Sequence, residues 1–546
     1  MGMAKVWEEK IVIPTYPVGK EEKNPMFIDK RVYQGSSGKV YPYPTIETIN
    51  DIKEDVVYKA VYLENDYLKV MVLPELGGRI QRAYDKTNDY DFIYYNHVMK
   101  PALVGLLGPW VSGGIEFNWP QHHRPTTFMA VDHTISENTD GSVSVLCNDT
   151  DRIYGTKGIC KITLYPDTAY IEITGQLYNR TSLPQTFLWW ANPAVPVNEY
   201  TKTIMPPDVN AVMDHGKRDV SRFPIATGTY YKKDYSEGVD ISRYKNIPVP
   251  TSLMAASSKY DFVGGYDYNV QAGILHVADH HFSPGKKQWT WGCGDFGRMW
   301  DKNLTDADGP YVELMTGVYT DNQPDFTWLK PFEEKTFKQY FMPYKKVGNV
   351  KNATKKACVG MEVTSAGLHV TVYATSEYEN TNVTVKIKDE TVFCRECTIS
   401  PNAVFDTVIE MNALQKSLLM EDESNASIRV MQNENVLVFY NPETEKIPEI
   451  PMPAEAAKDP SEIMNNEELL LTGRHIEQYR HATYLPDPYY LEGLKRDSGD
   501  SNINCAYGML LLRRGRLIIF NVANGLLSNA NFFTQYFSSP SGNFSY

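Results

Sequence analysis

The sequence lacks several features that define whole classes of protein. Its 546 residues contain seven cysteines, an odd number spread along the chain, which argues against a disulfide framework and favours reduced thiols. The net charge of −13 makes a nucleic-acid partner unexpected. No apolar run approaches the roughly 18 to 20 residues that cross a bilayer, and the first residues lack the apolar stretch of a signal peptide. These absences predict a cytoplasmic protein without a membrane partner.

Motifs that bind common cofactors are also missing. P-loops, dinucleotide fingerprints and nucleophile elbows do not occur. The adjacent pairs His122–His123 and His280–His281, if they lie on strands, point to opposite faces and do not chelate one metal ion. A loose calcium-loop pattern beginning at Asp301 has Asp306 where the loop requires glycine. We therefore expect neither a metal ion nor an organic cofactor.

Aromatic residues, by contrast, are abundant: 37 Tyr, 21 Phe and 9 Trp make up 12% of the chain. Tyr and Trp combine a flat apolar face with a polar group, which suits stacking on sugar rings. The alternative is that a β-rich protein simply favours aromatic residues.

Hydrophobic periodicity predicts five regions. Residues 1–50 are interpreted as an N-terminal arm, and residues 51–345 show the period-two alternation of short strands, which predicts one large all-β sandwich. Residues 346–445 predict a smaller β-sandwich. A Pro-rich acidic linker with a helical segment follows over 446–487, and residues 488–546 form a helical tail.

The helical tail resembles part of a repeat protein. The segment 503–516 is similar to the first helix and turn of a tetratricopeptide repeat, with Gly508 at the close helix contact and Gly515 at the helix end. A second helix would bring Ala and an aromatic residue where Phe520 and Asn524 stand. We expect a longer ancestral repeat array cut short here, the alternative being a native capping helix. A protein partner could bind through this segment.

Residues suited to chemistry form four clusters within the large β region. Glu313 stands within the apolar run Tyr311–Met315, where a carboxylate is costly unless it has a function; the alternative is a strand residue that reaches water. The candidate residues, in chain order, are Arg79, Glu116, Trp119, His122, His123, Trp190, Asn192, Trp300, Asp301, Glu313 and Asp321.

These clusters resemble the galactose mutarotase-like (aldose 1-epimerase-like) superfamily. The resemblance rests on Gly77-Gly-Arg-Ile80, on Tyr311-Val-Glu-Leu-Met and on the following Pro324-Asp-Phe. The layout of residues 20 to 516 is more closely similar to an uncharacterised bacterial family that joins this domain to tetratricopeptide repeats. The resemblance implies a mainly β fold: a large supersandwich, a small β-sandwich and a short helical C-terminal region.

The resemblance also implies roles for individual residues. Glu313 takes the place of the family's catalytic base and Arg79 that of the arginine that binds sugar hydroxyls. The family's main catalytic histidine should lie in Trp189-Trp-Ala-Asn192, where no histidine is present.

Because that histidine is missing, the leading hypothesis is a glycoside hydrolase with paired carboxylates. Glu313 and Glu116 would act on a glycoside or oligosaccharide, assisted by His122. Substrate contacts are assigned to Arg79, His123, Trp119, Trp190, Asn192, Trp300, Asp301 and Asp321. One alternative is an aldose 1-epimerase-like enzyme that uses His122 or His123 as its acid. Another is a non-catalytic sugar-binding or scaffold module coupled to a repeat array. For Glu116 itself, the structural alternative is an ion pair with Arg124 at a strand end.

Overall fold

The large β region consists of two extensive antiparallel sheets. The computed structural model describes residues 2–22, 42–320, 326–442, 449–479, 484–514 and 516. The first sheet has twelve strands, with Tyr90–Asp91 beside Arg79–Asp85; the others, in spatial order, are Lys5–Thr15, Glu54–Glu64, Leu68–Leu73, Arg79–Asp85, Ile115–Asn118, Trp189–Pro196, Tyr311–Val318, Gly285–Thr290, Thr251–Ala255, Ala211–Met213 and Val220–Arg222.

The second large sheet has eight strands. In spatial order they are Thr201–Ile204, Phe262–Asp267, Ala272–Val277, Glu334–Lys345, Ile171–Asn179, Thr156–Leu164, Val143–Thr150 and Asp132–Glu137. One continuous apolar core joins both sheets and includes Ile115 and Leu314 from the first with Ile162 and Phe341 from the second. The predicted mainly β supersandwich is therefore confirmed.

Part of the predicted N-terminal arm belongs to this sandwich. Strand Lys5–Thr15 pairs along its whole length with Glu54–Glu64 and forms an edge of the large sheet. Four two-stranded ribbons complete the region: Ala102–Gly105 with Gly108–Trp110, Gln185–Phe187 with Thr327–Leu329, Ile225–Ala226 with Val239–Asp240, and Thr229–Tyr230 with Lys233–Asp234.

One prediction for this region is wrong. The segment Trp289–Asp301 is dense in Gly and Trp, which predicts a shaped loop, but its last seven residues lie in the helix Asp295–Leu304. Asp295 lies in its first turn, where a carboxylate complements the helix dipole. Its apolar residues Phe296, Met299, Trp300 and Leu304 recur at helical spacing, although Phe296 and Met299 are exposed.

A second, smaller sandwich follows the large one. Its two four-stranded sheets enclose a separate apolar core. The strands are Val350–Ala353, Ala357–Val363, Leu368–Ala374 and Phe405–Ile409 in one sheet, and Glu390–Ile399, Tyr378–Ile387, Ala426–Gln432 and Asn435–Tyr440 in the other. Helix Ala413–Glu421 connects them and begins with an Asn412 capping box.

The C-terminal region is helical, as predicted. Its helices are Asn466–Gln478, Asp487–Arg496 and Ser501–Arg513. The helix that resembles the repeat buries Gly508, whereas Gly515, Phe520 and Asn524 lie outside the described residues. Short 3₁₀ turns occur at Pro74–Leu76, Pro125–Phe128, Tyr244–Asn246, Glu423–Asn425 and Pro460–Glu462. Among the described residues, the helices are too short and too polar to traverse a bilayer.

Candidate active site

Neighbouring strands of the twelve-stranded sheet place the candidate polar residues on one face. Residues directly opposite each other on paired strands share a face, as do residues two apart on one strand. Asn192 lies opposite Glu116, and Ala194 lies opposite Glu313. Both predicted carboxylates therefore project from the same side of the sheet. Their apolar neighbours in sequence, such as Ile115 and Leu314, face the core between the sheets.

Glu116 accepts hydrogen bonds from four side chains. Thr127 Oγ1 donates to Oε1 at 2.6 Å, and Trp110 Nε1 donates to Oε2 at 3.1 Å. His123 Nδ1 lies 3.2 Å from Oε2, and Asn118 Nδ2 donates to the same oxygen at 3.3 Å. The predicted structural alternative, an ion pair with Arg124, does not form; Arg124 donates to the carbonyl of Gly77 instead.

These contacts make Glu116 a stable anion. Burial alone would raise the pKa of its carboxyl, but the charge on His123 and the hydrogen bonds from His123 and Thr127 lower it well below its usual range. Burial likewise opposes protonation of His123, yet the Glu116 charge outweighs burial and raises the imidazole pKa. The two residues form a buried carboxylate–imidazolium pair.

Arg79 supports the same end of the site. It comes from strand Arg79–Asp85, and its guanidinium donates to the carbonyls of Val111, at 2.9 Å, and Gly113. Both carbonyls belong to the loop that leads into the Glu116 strand. The side chain is 3% exposed. Arg79 therefore fixes this loop while adding positive charge beside Glu116.

Glu313 has a very different environment from Glu116. It is 7% exposed, so the alternative that it reaches water is wrong. Within the described residues, Glu313 accepts a long hydrogen bond of 3.5 Å from Tyr311 Oη at Oε1, and the Asn192 amide also contacts it. Burial raises the pKa of the carboxyl, and the charges on Lys287 and His123 counteract only part of this effect. Glu313 is thus a buried carboxyl suited to exchange a proton.

Lys287 faces Glu313 from the next strand. It lies two residues before Trp289, which is directly opposite Glu313, so both side chains share the site face. Lys287 Nζ lies 2.9 Å from His215 Nε2. Burial lowers the pKa of the Lys287 ammonium despite the Glu313 charge, and burial together with the Lys287 charge lowers that of His215.

Among the residues that the structure describes, His122 and Asn192 each present a buried polar atom without a hydrogen-bond partner. These atoms are His122 Nε2 and Asn192 Oδ1, on side chains exposed by only 2% and 4%. Burial and then the Lys287 charge lower the pKa of His122, which keeps its imidazole neutral. Buried polar atoms are usually satisfied, so these two mark a place where a hydroxyl-bearing ligand would complete the hydrogen bonding.

The predicted aromatic contacts divide into core and site residues. Trp119 packs in the core between the sheets, where its ring covers Gly158, and so it does not reach the site face. Trp190 is fully buried on that face against Gly285 and Gly317, with its ring 6.2 Å from that of His122.

Trp300 and Asp301 lie at the edge of the site, on the helix Asp295–Leu304. Trp300 stacks on Trp291 with ring centroids 4.1 Å apart, and Trp291 Nε1 donates to Tyr311 Oη at 3.2 Å. Partial burial raises the pKa of Asp301 to about 6. Asp321, the remaining predicted contact, lies outside the described residues.

Sequence reasoning missed Lys287, His215 and Tyr311. Lys287 follows another lysine in the strand Gly285–Thr290, and both side chains are buried. Two adjacent lysines must occupy opposite faces of a strand. An adjacent pair in an apolar strand therefore indicates that one of them is buried on each face, which was the signal available for Lys287. His215, in a polar loop, carried no such signal.

One argument about metal ligands is also wrong. His280 and His281 lie on a turn rather than a strand, and their ring centroids are 4.0 Å apart. With Asp279 they place three potential ligand atoms within 4.8 Å of one another. The three side chains are solvent-accessible, and each histidine already contacts a carboxylate, His280 that of Asp261 and His281 that of Asp279.

Fold and site together define a mainly β supersandwich protein with a buried acid–base cluster on one sheet face. Residues 36–351 match the sequence family described as a domain of unknown function, DUF5107. This match covers more than half of the chain, so the chain belongs to that family. Residues 352–440 match the second domain of YphG-like proteins, in agreement with the separate small sandwich.

Solved structures are similar to part of this chain. A TPR-domain containing protein from Parabacteroides distasonis matches 62% of this chain at 22% identity and a TM-score of 0.54, and the chain spans 55% of its length. A galactose mutarotase-like protein from Clostridium acetobutylicum matches 53% of the chain and 95% of its own, at 10% identity and a TM-score of 0.37. A galactose mutarotase-like protein from Lactobacillus casei matches 52% of this chain and 100% of its own, at 12% identity and a TM-score of 0.35.

Proposed function

We propose that this protein is a carbohydrate-active enzyme of the aldose epimerase type. Glu313 would remove the proton from the anomeric hydroxyl of a bound sugar while the His123 imidazolium protonates the ring oxygen. The bond between the anomeric carbon and the ring oxygen then breaks and gives the open-chain aldehyde. Rotation about the adjacent carbon–carbon bond and the reverse proton transfers close the ring as the other anomer.

The observation that carries this proposal is the contrast between the two carboxylates. A hydrolase with paired carboxylates needs both of them available to the substrate or to water. Glu116 accepts four hydrogen bonds and holds a proton on His123, which suits a positioning residue. Glu313 has a raised pKa and faces two cationic side chains, which suits a general base. His123 thus supplies the acid that the Trp189–Pro196 strand lacks.

A second candidate function is glycoside hydrolysis, which Asp301 favours. Its carboxyl, with a pKa raised to about 6, would remain partly protonated near neutral pH. Such a group suits a general acid that protonates a leaving oxygen. Glu313 would then be the partner carboxylate in place of the Glu116 predicted from the sequence.

One experiment tests both reactions on the same panel of sugars. Freshly dissolved single anomers of aldoses are followed by polarimetry, and aryl glycosides and oligosaccharides are assayed for released reducing sugar. We expect anomer interconversion faster than the uncatalysed rate. Glu313→Gln should lower that rate by about 10²- to 10⁴-fold, the usual contribution of a general base, without weakening sugar binding measured by calorimetry.

Two further variants separate the candidates. Asp301→Asn should leave anomer interconversion unchanged but should abolish hydrolysis if the second candidate is correct. Glu172→Gln serves as the control, because Glu172 is a buried carboxylate of the other sheet that is paired with Lys338. Full activity in Glu313→Gln would rule out both reactions as proposed, whereas sugar binding by a wild type that is inactive on the whole panel would leave a sugar-binding module.

A further inference from the structure

The candidate site contains more buried positive than negative charge. Arg79 and Lys287 are both less than 9% exposed, and His123 is held protonated, whereas the facing carboxyls are Glu116 and Glu313. In the part of the chain that the structure describes, neither Arg79 nor Lys287 forms an ion pair within 4.0 Å. The chain as a whole carries a net charge of −13, so this cationic surplus is local to the site.

Lys287 is the cation with the fewest compensating contacts. Its side chain is 1% exposed, and Met254 and Met315 lie directly opposite it on the two adjacent strands. An ammonium group has three donors, and its one hydrogen bond within the described chain is to His215 Nε2. A buried ammonium in such surroundings is costly unless another group neutralises it.

His215 stands on the side of Lys287 remote from Glu313. It follows the strand Ala211–Met213, which is separated from the Lys287 strand by Thr251–Ala255. Glu313 lies on the opposite neighbour of the Lys287 strand. Strands are about 4.8 Å apart, so Lys287 lies one strand spacing from Glu313, on the side towards His215. His215 is itself 7% exposed, and its Nδ1 lies 3.5 Å from Tyr231 Oη.

We infer that Lys287, positioned by His215, binds an anionic substituent of the sugar, a carboxylate or a phosphate, at the end remote from the reacting carbon. This inference rests on the proposed function, which places the reacting end at Glu313. An oxyanion would accept hydrogen bonds from the free donors of Lys287, while His215 Nε2 accepts from the same ammonium and holds it in place. The oxyanion would also supply the negative charge that the buried cations lack. The preferred substrates are therefore sugar acids or sugar phosphates rather than neutral sugars.

The test compares matched pairs of sugars by isothermal titration calorimetry. The pairs are galacturonate with galactose, glucuronate with glucose, and glucose 6-phosphate with glucose. We expect an anionic member to bind about ten- to a hundredfold more tightly, the effect of a hydrogen bond to a charged group. Comparison of the two uronate pairs with the glucose 6-phosphate pair identifies whether a carboxylate or a phosphate is preferred.

Substitutions test whether the preference for anionic sugars depends on Lys287. Lys287→Met should abolish it while leaving the affinity for neutral sugars within a few fold, and Lys287→Arg, which keeps the charge, should retain most of it. Lys302→Met, which removes an exposed lysine beside the site, is the control and should leave the preference unchanged. Circular dichroism and thermal unfolding establish that each variant is folded.

Three results would overturn the inference: equal affinity for both members of every pair, an equal loss for both in Lys287→Met, or no binding of any anionic sugar. Because this assay measures binding, it is independent of the turnover assay for Glu313. Inactivity of the enzyme on all sugars together with tight anion-dependent binding would refute the proposed reaction alone.

Discussion

The two carboxylates on the site face occupy opposite electrostatic environments a few strands apart. Around Glu116, four donors saturate the carboxylate and a neighbouring imidazolium balances its charge. Around Glu313, the neighbours are one distant phenol, an amide, and cations that do not contact it directly. Burial is nearly equal at the two positions. The difference therefore comes from how many hydrogen bonds the surrounding sequence supplies.

This difference separates stability from chemistry. A buried charge that is fully hydrogen-bonded and paired can be kept within a fold, and removal of its partner is strongly destabilising. A buried carboxyl with few donors holds a raised pKa and is ready to exchange a proton. The Glu116 end of the site thus acts as the support and the Glu313 end as the reactive part.

The largest expected effect is a difference in stability between two identical substitutions. Glu116→Gln leaves the buried His123 without its counter-ion, so we expect it to cost about 3 kcal/mol. For a domain of this size, that cost lowers Tm by roughly 6 to 10 °C. Glu313→Gln replaces a poorly compensated carboxyl with a neutral amide and should leave Tm unchanged or raise it. Differential scanning calorimetry at pH 7 measures both.

The same two variants share a control. Glu172→Gln removes a buried carboxylate whose Lys338 partner is half exposed, so its cost should be smaller than that of Glu116→Gln. A loss of stability in Glu313→Gln equal to that in Glu116→Gln would contradict the division of the site into a support and a reactive part.

The next effect concerns the pH dependence of the free energy of unfolding, to which Glu313 and Glu116 contribute with opposite sign. The pKa of Glu313 is raised above its ordinary value of 4.5, so the folded state holds this proton more tightly than the unfolded state. Its contribution to stability is present at low pH and declines as pH rises from 4.5 towards the raised value. The pKa of Glu116 is lowered, so its contribution is present above 4.5 and is lost on acidification.

Urea unfolding of the wild type and both Gln variants between pH 4 and 8 measures these slopes. Relative to Glu313→Gln, the wild type should lose stability as pH rises, by about 1.4 kcal/mol for each unit of pKa shift. Relative to Glu116→Gln, it should lose stability as pH falls below 4.5. Parallel curves for all three proteins would mean that the two carboxyls titrate alike.

Much of this fold could be predicted from alternation in the sequence. Strand Thr156–Leu164 alternates buried and partly exposed residues, which is the pattern that period-two reasoning detects. The helix Asp295–Leu304 was missed because it is only ten residues long, although its apolar residues recur at helical spacing. Local composition there, rich in Gly and Trp, indicated a loop.

For the site, the sequence identified individual residues but not their contacts. Glu313 could be predicted because a carboxylate in an apolar strand is costly. The position of Trp119 in the core could not, because which way a side chain points after a strand end depends on the register and the following turn. The pairing of Lys287 with His215 joins residues 72 positions apart, and no local pattern connects them.

The smallest expected effect concerns one of the four donors to Glu116. Thr127→Val keeps the shape of the side chain but removes the 2.6 Å hydrogen bond to Glu116 Oε1. Because three other donors remain, we expect a cost of about 1 kcal/mol, near 2 °C in Tm, with sugar turnover nearly unchanged. Thr126→Val, at the adjacent threonine that bonds to Asp149 instead, is the matched control. A loss of turnover in Thr127→Val comparable to that in Glu313→Gln would show that Glu116 takes part in the chemistry, and it would remove the distinction between the two ends of the site.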